Sequence, residues 1–326
     1  MSDERSAAFV ALGIAQESKR TVILICTSGS ALYNFAPAVS EAHFAGIPLL
    51  ILSADRPTEW IGQQDGQTIF QQGIFGKHVK RFFQLPQEYN HADNAWAINR
   101  SVNEALNLAN NEQPGPVHIN IPLREPLYPA PHQTIHFEKD VRLIKDTTKE
   151  FVLTDEHKAL LSKHWKQYNK VLIVAGQQPV NSALTQLLQF NIEKHSLPAV
   201  ADIIANQHKL TQAIKHADAF LGQAPESLKE SLQPELLITF GSGTIAKQLK
   251  LFLRKYKAVV HWHIGVEEPV ADTYQSLTHV APVLPEVFFT FLSTLDKKEN
   301  FDKQKKENYL QVWQLEEQKA KSLLTD

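Results

Sequence analysis

The chain has 326 residues, enough for two domains that each bury a core. Apolar residues make up 43% and charged residues 21%, a globular composition and not a disordered one. The formal charge of −2 gives no electrostatic case for a nucleic-acid or membrane partner. No apolar run approaches the roughly 20 residues that span a bilayer, and no signal-peptide pattern opens the chain, so the expected compartment is the cytoplasm. The single cysteine, Cys26, excludes an intramolecular disulfide or a cysteine zinc site, and within VILICT it reads as a small buried thiol.

MSDERSAAFVALGIAQES predicts an amphipathic helix ending near Glu17–Lys19. Ser2 or Asp3 can cap it, and on spacing alone Glu4 is a first-turn carboxylate favoured by the helix dipole. TVILICT (21–27), PLLILSA (48–54) and PVHINIP (116–122) read as strands buried on both faces, the mark of a parallel sheet. The turn TSGSA (27–31) has two readings: its amides can meet a phosphate, or its Gly and Ser serve geometry alone. SALYNFAPAVSEAHFAG predicts one helix ended by Gly46. ADRPTEWIGQQDGQTIFQQGIF (54–75) is a long polar loop on the edge where such sheets bind ligands. In it Arg56 can pair with a ligand carboxylate or with Asp55 or Glu59. HADNAWAINRSVNEALNLAN predicts a helix with Ala95, Ile98, Val102, Ala105, Leu106 and Ala109 on one face.

A polar, Pro-rich linker is expected from 122–133 to about residue 150, followed by a second α/β series. KVLIVAG (170–176), LPAVADI (197–203), ADAFLG (217–222), ELLITFG (235–241), AVVHWHI (258–264) and LTHVA (277–281) predict six strands of a doubly wound sheet. GSGTIA (241–246) fits G-x-G-x-x-A, but its strand is not the first of the domain, and GVEEP (265–269) is the nearest acidic partner. Nucleotide-like geometry without nucleotide binding is therefore preferred to a nucleotide site. His261 and His263 share one strand face without a third ligand, so packing or surface roles are expected. The last 30 residues pass from a charged linker to an amphipathic helix whose apolar face includes Tyr309, Val312 and Trp313.

DERSAAFVALGIAQESKRTVILICTSGSALYNFAPAVSEA, PLLILSADRPTEWIGQQDGQTIFQQGIFG and PVHINIPLREPLY lie in order over residues 3–128. Together they resemble the MenD family, thiamine-diphosphate-dependent synthases of menaquinone biosynthesis. The resemblance implies a pyrimidine-binding domain at 1–130, missing its first strand and helix, and a linker and lead-in at 131–164. A Rossmann-like central domain at 165–295 follows, then at 296–326 a linker and the first helix (309–324) of a missing pyrophosphate-binding domain. It makes Glu4 the acid that hydrogen-bonds N1′ of the cofactor's aminopyrimidine, its carboxylate facing the sheet edge near TSGSA. Ser28 and Gly29 become cofactor contacts, and Gln67, Arg56 and Lys247 become substrate-binding residues.

The implied reaction is decarboxylation of 2-oxoglutarate and addition of the resulting succinyl carbanion equivalent to isochorismate. The implied cofactors are thiamine diphosphate and magnesium, and the implied assembly is a homodimer or homotetramer. Several family features depart here. No Gly-Ser-Arg-Ser or Gly-Asp-Gly stretch occurs, and the only Asn-Asn, Asn110–Asn111, closes a helix in the wrong domain. Gln248 stands where relatives can carry the arginine of a Lys-Arg pair. No metal ligand is therefore assigned to these residues, and the chain alone is expected to be inactive. The competing readings are a stand-alone nucleotide-binding regulatory module and another thiamine-diphosphate enzyme such as an acetolactate synthase.

Overall fold

The computed structural model describes residues 1–125, 132, 134, 137, 139, 141–147, 150–267, 269–296 and 303–325. The chain divides into two compact units, Met1–Thr148 and Lys149–Asp326.

In the first unit, α1 (Glu4–Ser18) is capped by Asp3, whose carboxylate accepts from the Ser6 N–H at 2.6 Å. β1 (Val22–Cys26), β2 (Leu49–Asp55), β3 (Phe82–Gln84) and β4 (Val117–Pro122) form a parallel sheet in the order β1-β2-β4-β3. Side chains alternate between faces, so Leu24, Cys26, Leu49 and Ile51 meet the helices α1 and α3 (Ala36–Ala45) on one side. Leu50, Val117 and Ile119 meet α4 (Ala92–Asn110) on the other through Ala105, Ala109, Ile98 and Val102, members of the predicted apolar face.

The single helix expected over 30–46 is instead two, α2 (Ser30–Tyr33) and α3, with Pro37 in the first turn of α3. Proline has no N–H to give the preceding turn, so the first helix stops and a second starts. Gly46, at φ 64°, ends α3 as its sequence position implies. β3 was not among the predicted strands.

The second unit has five parallel strands among the described residues, β5 (Val171–Ala175), β6 (Ala199–Ala201), β7 (Leu236–Phe240), β8 (Val260–Ile264) and β9 (His279–Ala281). Their order is β6-β5-β7-β8-β9. The predicted strand at 217–222 is a helix, α7 (Ala217–Gln223). Ala217, Phe220 and Leu221 stand at helical i, i+3, i+4 spacing, and both Ala217 and Leu221 pack into the core.

Helices α5 (Asp155–Gln167), α6 (Ser182–His195) and α10 (Pro285–Thr294) cover one face. The other is covered by α7, α8 (Glu226–Leu232), α9 (Lys247–Lys255) and α11 (Lys303–Thr325).

Much of the lead-in at 131–164 is structured: Leu161 of α5 is core, while Arg142 and Ile144 are bound to α4 of the first unit. The terminal helix, expected as a docking helix at 309–324, buries Tyr309 and Trp313 in the second unit. The remainder of the expected linkers, including 126–131 and 297–302, lies outside the described residues.

Candidate active site

The helix α1 runs antiparallel to β1, which brings its N-terminus to the edge where the strands end. Glu4 thus lies beside Cys26, the last residue of β1. Burial first, and then the negative charge of Glu4, pushes the Cys26 thiol up to about 12. The Glu4 carboxylate, partly exposed, makes no hydrogen bond or ion pair among the described residues. Ser28, 7% exposed, likewise makes no side-chain hydrogen bond there.

Gly29 is different. Its N–H donates to Gln71 Oε1 at 2.9 Å and its carbonyl accepts from Leu32 N–H at 3.2 Å. The helix after it has only four residues. The phosphate-cradling reading of TSGSA therefore fails at Gly29, whose amide is already used inside the protein. Gly29 serves geometry: it sits at φ 85°, and a Cβ there would lie 3.1 Å from the Gln67 carbonyl oxygen. That close approach seats the Gln67 backbone, itself at φ 57°, against the turn.

Arg56 turns inward on its own loop. Its Nε donates to the Gly66 carbonyl at 3.3 Å and lies 3.8 Å from Asp65 Oδ2, so it braces the segment before Gln67. Of its two predicted partners, Asp55 meets only the Arg56 backbone N–H, at 2.9 Å, and Glu59 pairs with Arg124. The Gln67 side chain is exposed.

Beneath the turn lies a polar chain for which the sequence reading provides no role. Ala54 O and Asn120 Oδ1 accept from Gln71 Nε2 at 3.0 and 2.8 Å, and Asn120 Oδ1 also accepts from Ser53 Oγ at 2.7 Å. Asn120 Nδ2 donates to Asp55 Oδ2 at 2.7 Å and to Gln84 Oε1 at 3.1 Å. Ser53 has one proton, given to Asn120, so His118 Nε2, 2.7 Å away, must donate to Ser53. His118 is fully buried, and that burial lowers it to about 4. Burial also pushes the Asp55 carboxyl up, against the Asn120 and Arg56 bonds that hold it down. The available signal is alternation: Ser53, His118 and Asn120 interrupt apolar strands at positions facing one side.

Lys247 belongs to the second unit, exposed at the first position of α9. A cation there opposes the helix dipole. Around it the helix N-terminus is occupied by carboxylates: Asp202 accepts from Ile245 N–H at 2.8 Å, and Asp218 from Gln248 and Leu249 N–H.

The crevice where the strand order reverses, between β5 and β7, is closed by backbone. Gln177 N–H donates to Gly243 O at 3.0 Å and Ser242 N–H to Gln177 O at 2.9 Å, while a Cβ on Gly176 would fall 1.8 Å from Ser242 O. The start of GSGTIA is therefore packed against the β5 turn, and the N–H groups of Ile245, Gln248 and Leu249 are taken by Asp202 and Asp218. Of the acidic candidates after it, Glu267 bonds His263 and Glu268 lies outside the described residues. His261 and His263 both bond Thr239 Oγ1 at 2.9 Å inside the core, the packing role expected of them.

Residues 1–82 match a family described as thiamine pyrophosphate enzyme, N-terminal TPP binding domain. The chain is 42% identical over 281 residues to 2-succinyl-5-enolpyruvyl-6-hydroxy-3-cyclohexene-1-carboxylate synthase of Cytophaga hutchinsonii, covering 86% of this chain and 49% of that protein. It is 41% identical over 279 residues to the synthase of the same name from Porphyromonas gingivalis, covering 86% and 47%. For that of Flavobacterium psychrophilum the identity is 38% over 294 residues, covering 89% and 50%. Over most of its length the chain is thus similar to synthases of this one name. It spans about half the length of the curated relatives it matches. The Arg56 side chain is spent on its own loop, and the Gln248 backbone N–H on the Asp218 carboxylate.

Proposed function

We propose that the first unit holds the aminopyrimidine half of thiamine diphosphate against Glu4, in an enzyme that joins 2-oxoglutarate, after loss of carbon dioxide, to isochorismate. The observation carrying this reading is the convergence on one sheet edge of the Glu4 carboxylate and the Ser28 hydroxyl, neither with a protein partner among the described residues, and the Gln67 loop. These groups fit the cofactor: a half-buried carboxylate can hold a proton at a ring nitrogen, and Ser28 offers one further polar contact. When bound, thiamine diphosphate supplies the electron sink that lets a 2-oxo acid lose carbon dioxide.

Glu4 keeps the proton at the pyrimidine nitrogen, and Arg56 orients the loop that presents the Gln67 amide. Lys247, in the second unit, is an exposed cation at a helix N-terminus that the dipole disfavours, of the charge type that anionic substrates call for. No group of three His, Cys, Asp or Glu side chains among the described residues could hold a metal, so no step is assigned to magnesium in this chain. An acetolactate-type reaction is disfavoured by the names of the relatives. A nucleotide-binding module is disfavoured by the closed crevice beside GSGTIA.

The test uses the complete gene product with thiamine diphosphate, magnesium, 2-oxoglutarate and isochorismate. Glu4→Gln is expected to lower turnover at least ~10²-fold, the scale of a lost proton-transfer group, with an unchanged melting temperature. Wild-type-like turnover in that variant would return Glu4 to a helix-dipole role. A wild type inert with these substrates but active on pyruvate would move the assignment to the acetolactate reaction.

A further inference from the structure

Gln71 is 1% exposed, and every polar atom of its amide is engaged. The amide cannot be turned over. The Gly29 N–H can only donate, so it requires Oε1; the Ala54 carbonyl can only accept, so it requires Nε2. One side chain thus ties the turn after β1 to the end of β2, and through Asn120 to β4.

Gly29 is the sensitive member. Its N–H is the donor that would otherwise face inward unpaired or swing toward a ligand, and its Cα lies against the Gln67 backbone. We propose that Gln71 is a positioning residue for the cofactor edge: by holding Gly29 it sets where Ser28 and Gln67 stand. The inference rests on the thiamine diphosphate reading above, and it adds that the turn binds by shape and through Ser28, not through its Gly29 amide.

Hydrogen exchange and cofactor titration on the complete gene product test it. In the unliganded wild type, the Gly29 amide is expected to be protected already. In Gln71→Met, which keeps the length but removes donor and acceptor, Gly29 exchange should rise at least about tenfold while Ile51 and Ile119 in the strands stay protected. Thiamine diphosphate should bind about tenfold more weakly to that variant, read by calorimetry, while the control Gln72→Met at the exposed neighbour binds as wild type.

A Gly29 amide that exchanges freely in the wild type overturns the proposal. So does unchanged cofactor affinity in Gln71→Met. Parallel loss of protection at Gly29, Ile51 and Ile119 would assign Gln71 to general stability and overturn it as well. A wild type with no affinity for the cofactor is a separate result, striking the parent reading and the positioning role together.

Discussion

Among the described residues the side-chain oxygens of Glu4 and Ser28 have no protein partner, whereas Gln71, Asn120 and Ser53 just beneath them spend their bonds internally. Ligand contacts are expected from the first kind of residue and rigidity from the second. His118 belongs to the rigid set and carries a measurable cost. Its folded value of about 4 lies below the ordinary 6.5, so between these pH values the unfolded chain binds the proton and the folded chain does not. Its stabilising contribution is therefore complete above pH 6.5 and is lost as pH falls toward 4. His261 in the second unit is lowered to about 4 as well, by burial and then by His263, with Asp272 opposing. Each should remove about 2 kcal/mol of unfolding free energy between pH 7 and pH 5. Urea titrations at the two pH values check this, and His118→Gln should flatten the loss for the first unit. An unchanged pH slope in that variant would mean that other groups carry it.

At the scale of elements, three asparagines one turn apart on α4 hold an extended segment that reads in sequence as linker. Asn99 and Asn103 Nδ2 donate to Arg142 O, each at 3.1 Å; Asn103 Oδ1 accepts from Ile144 N–H at 2.7 Å; and Asn107 Nδ2 donates to Ile144 O at 2.8 Å. Asn103 is the buried member. Asn103→Ala should cost about 1–3 kcal/mol, because it leaves the Ile144 N–H without its partner. Exchange of amides 142–147 should accelerate while α4 stays protected; an unaltered rate at Ile144 would mean the asparagines are incidental. The sequence conceals this clamp because a polar i, i+4, i+8 stripe reads as a solvated face until its partner backbone is known. Other elements were open to sequence reading in proportion to their length. β1, β2, β4, β5, β7 and β8 have five or more residues, are rich in Val, Ile and Leu, and stand where expected, whereas the three-residue FFQ of β3 carries no period. ADAFLG was ambiguous because six apolar-rich residues fit either period, and the contacts of α7 with the core decided it. At the site, Glu4 came from family resemblance, since its spacing alone indicates a dipole residue; Gln71 carries no local signal because its partners lie 17 to 49 positions away.

For the molecule as a whole, the two units carry distinct consequences. In the second unit the backbone zipper at the strand-order reversal should leave NAD and FAD without measurable affinity in calorimetric titration, and micromolar binding of either would reopen the nucleotide reading. The same unit also owns the end of the chain. Trp313 is fully buried, edge-on to Phe220 and Phe252; Tyr309 donates its hydroxyl to Leu232 O at 3.0 Å; and Glu317 accepts from His216 N–H at 2.9 Å. A helix merely resting on a surface would tolerate loss of its tryptophan for well under ~1 kcal/mol, as surface substitutions do. A helix that completes a core would not: removing a buried indole leaves a cavity worth about 3–5 kcal/mol. Trp313→Ala should therefore destabilise the second unit by that amount, seen as a lower urea midpoint and faster exchange at Leu172 and Leu237, whose side chains share its core. Exchange at Ile51 and Ile119, in the first unit's sheet, should hold its wild-type rate. If Leu172 and Leu237 kept their protection in the variant, α11 would be a peripheral helix and the second unit's core would close without it.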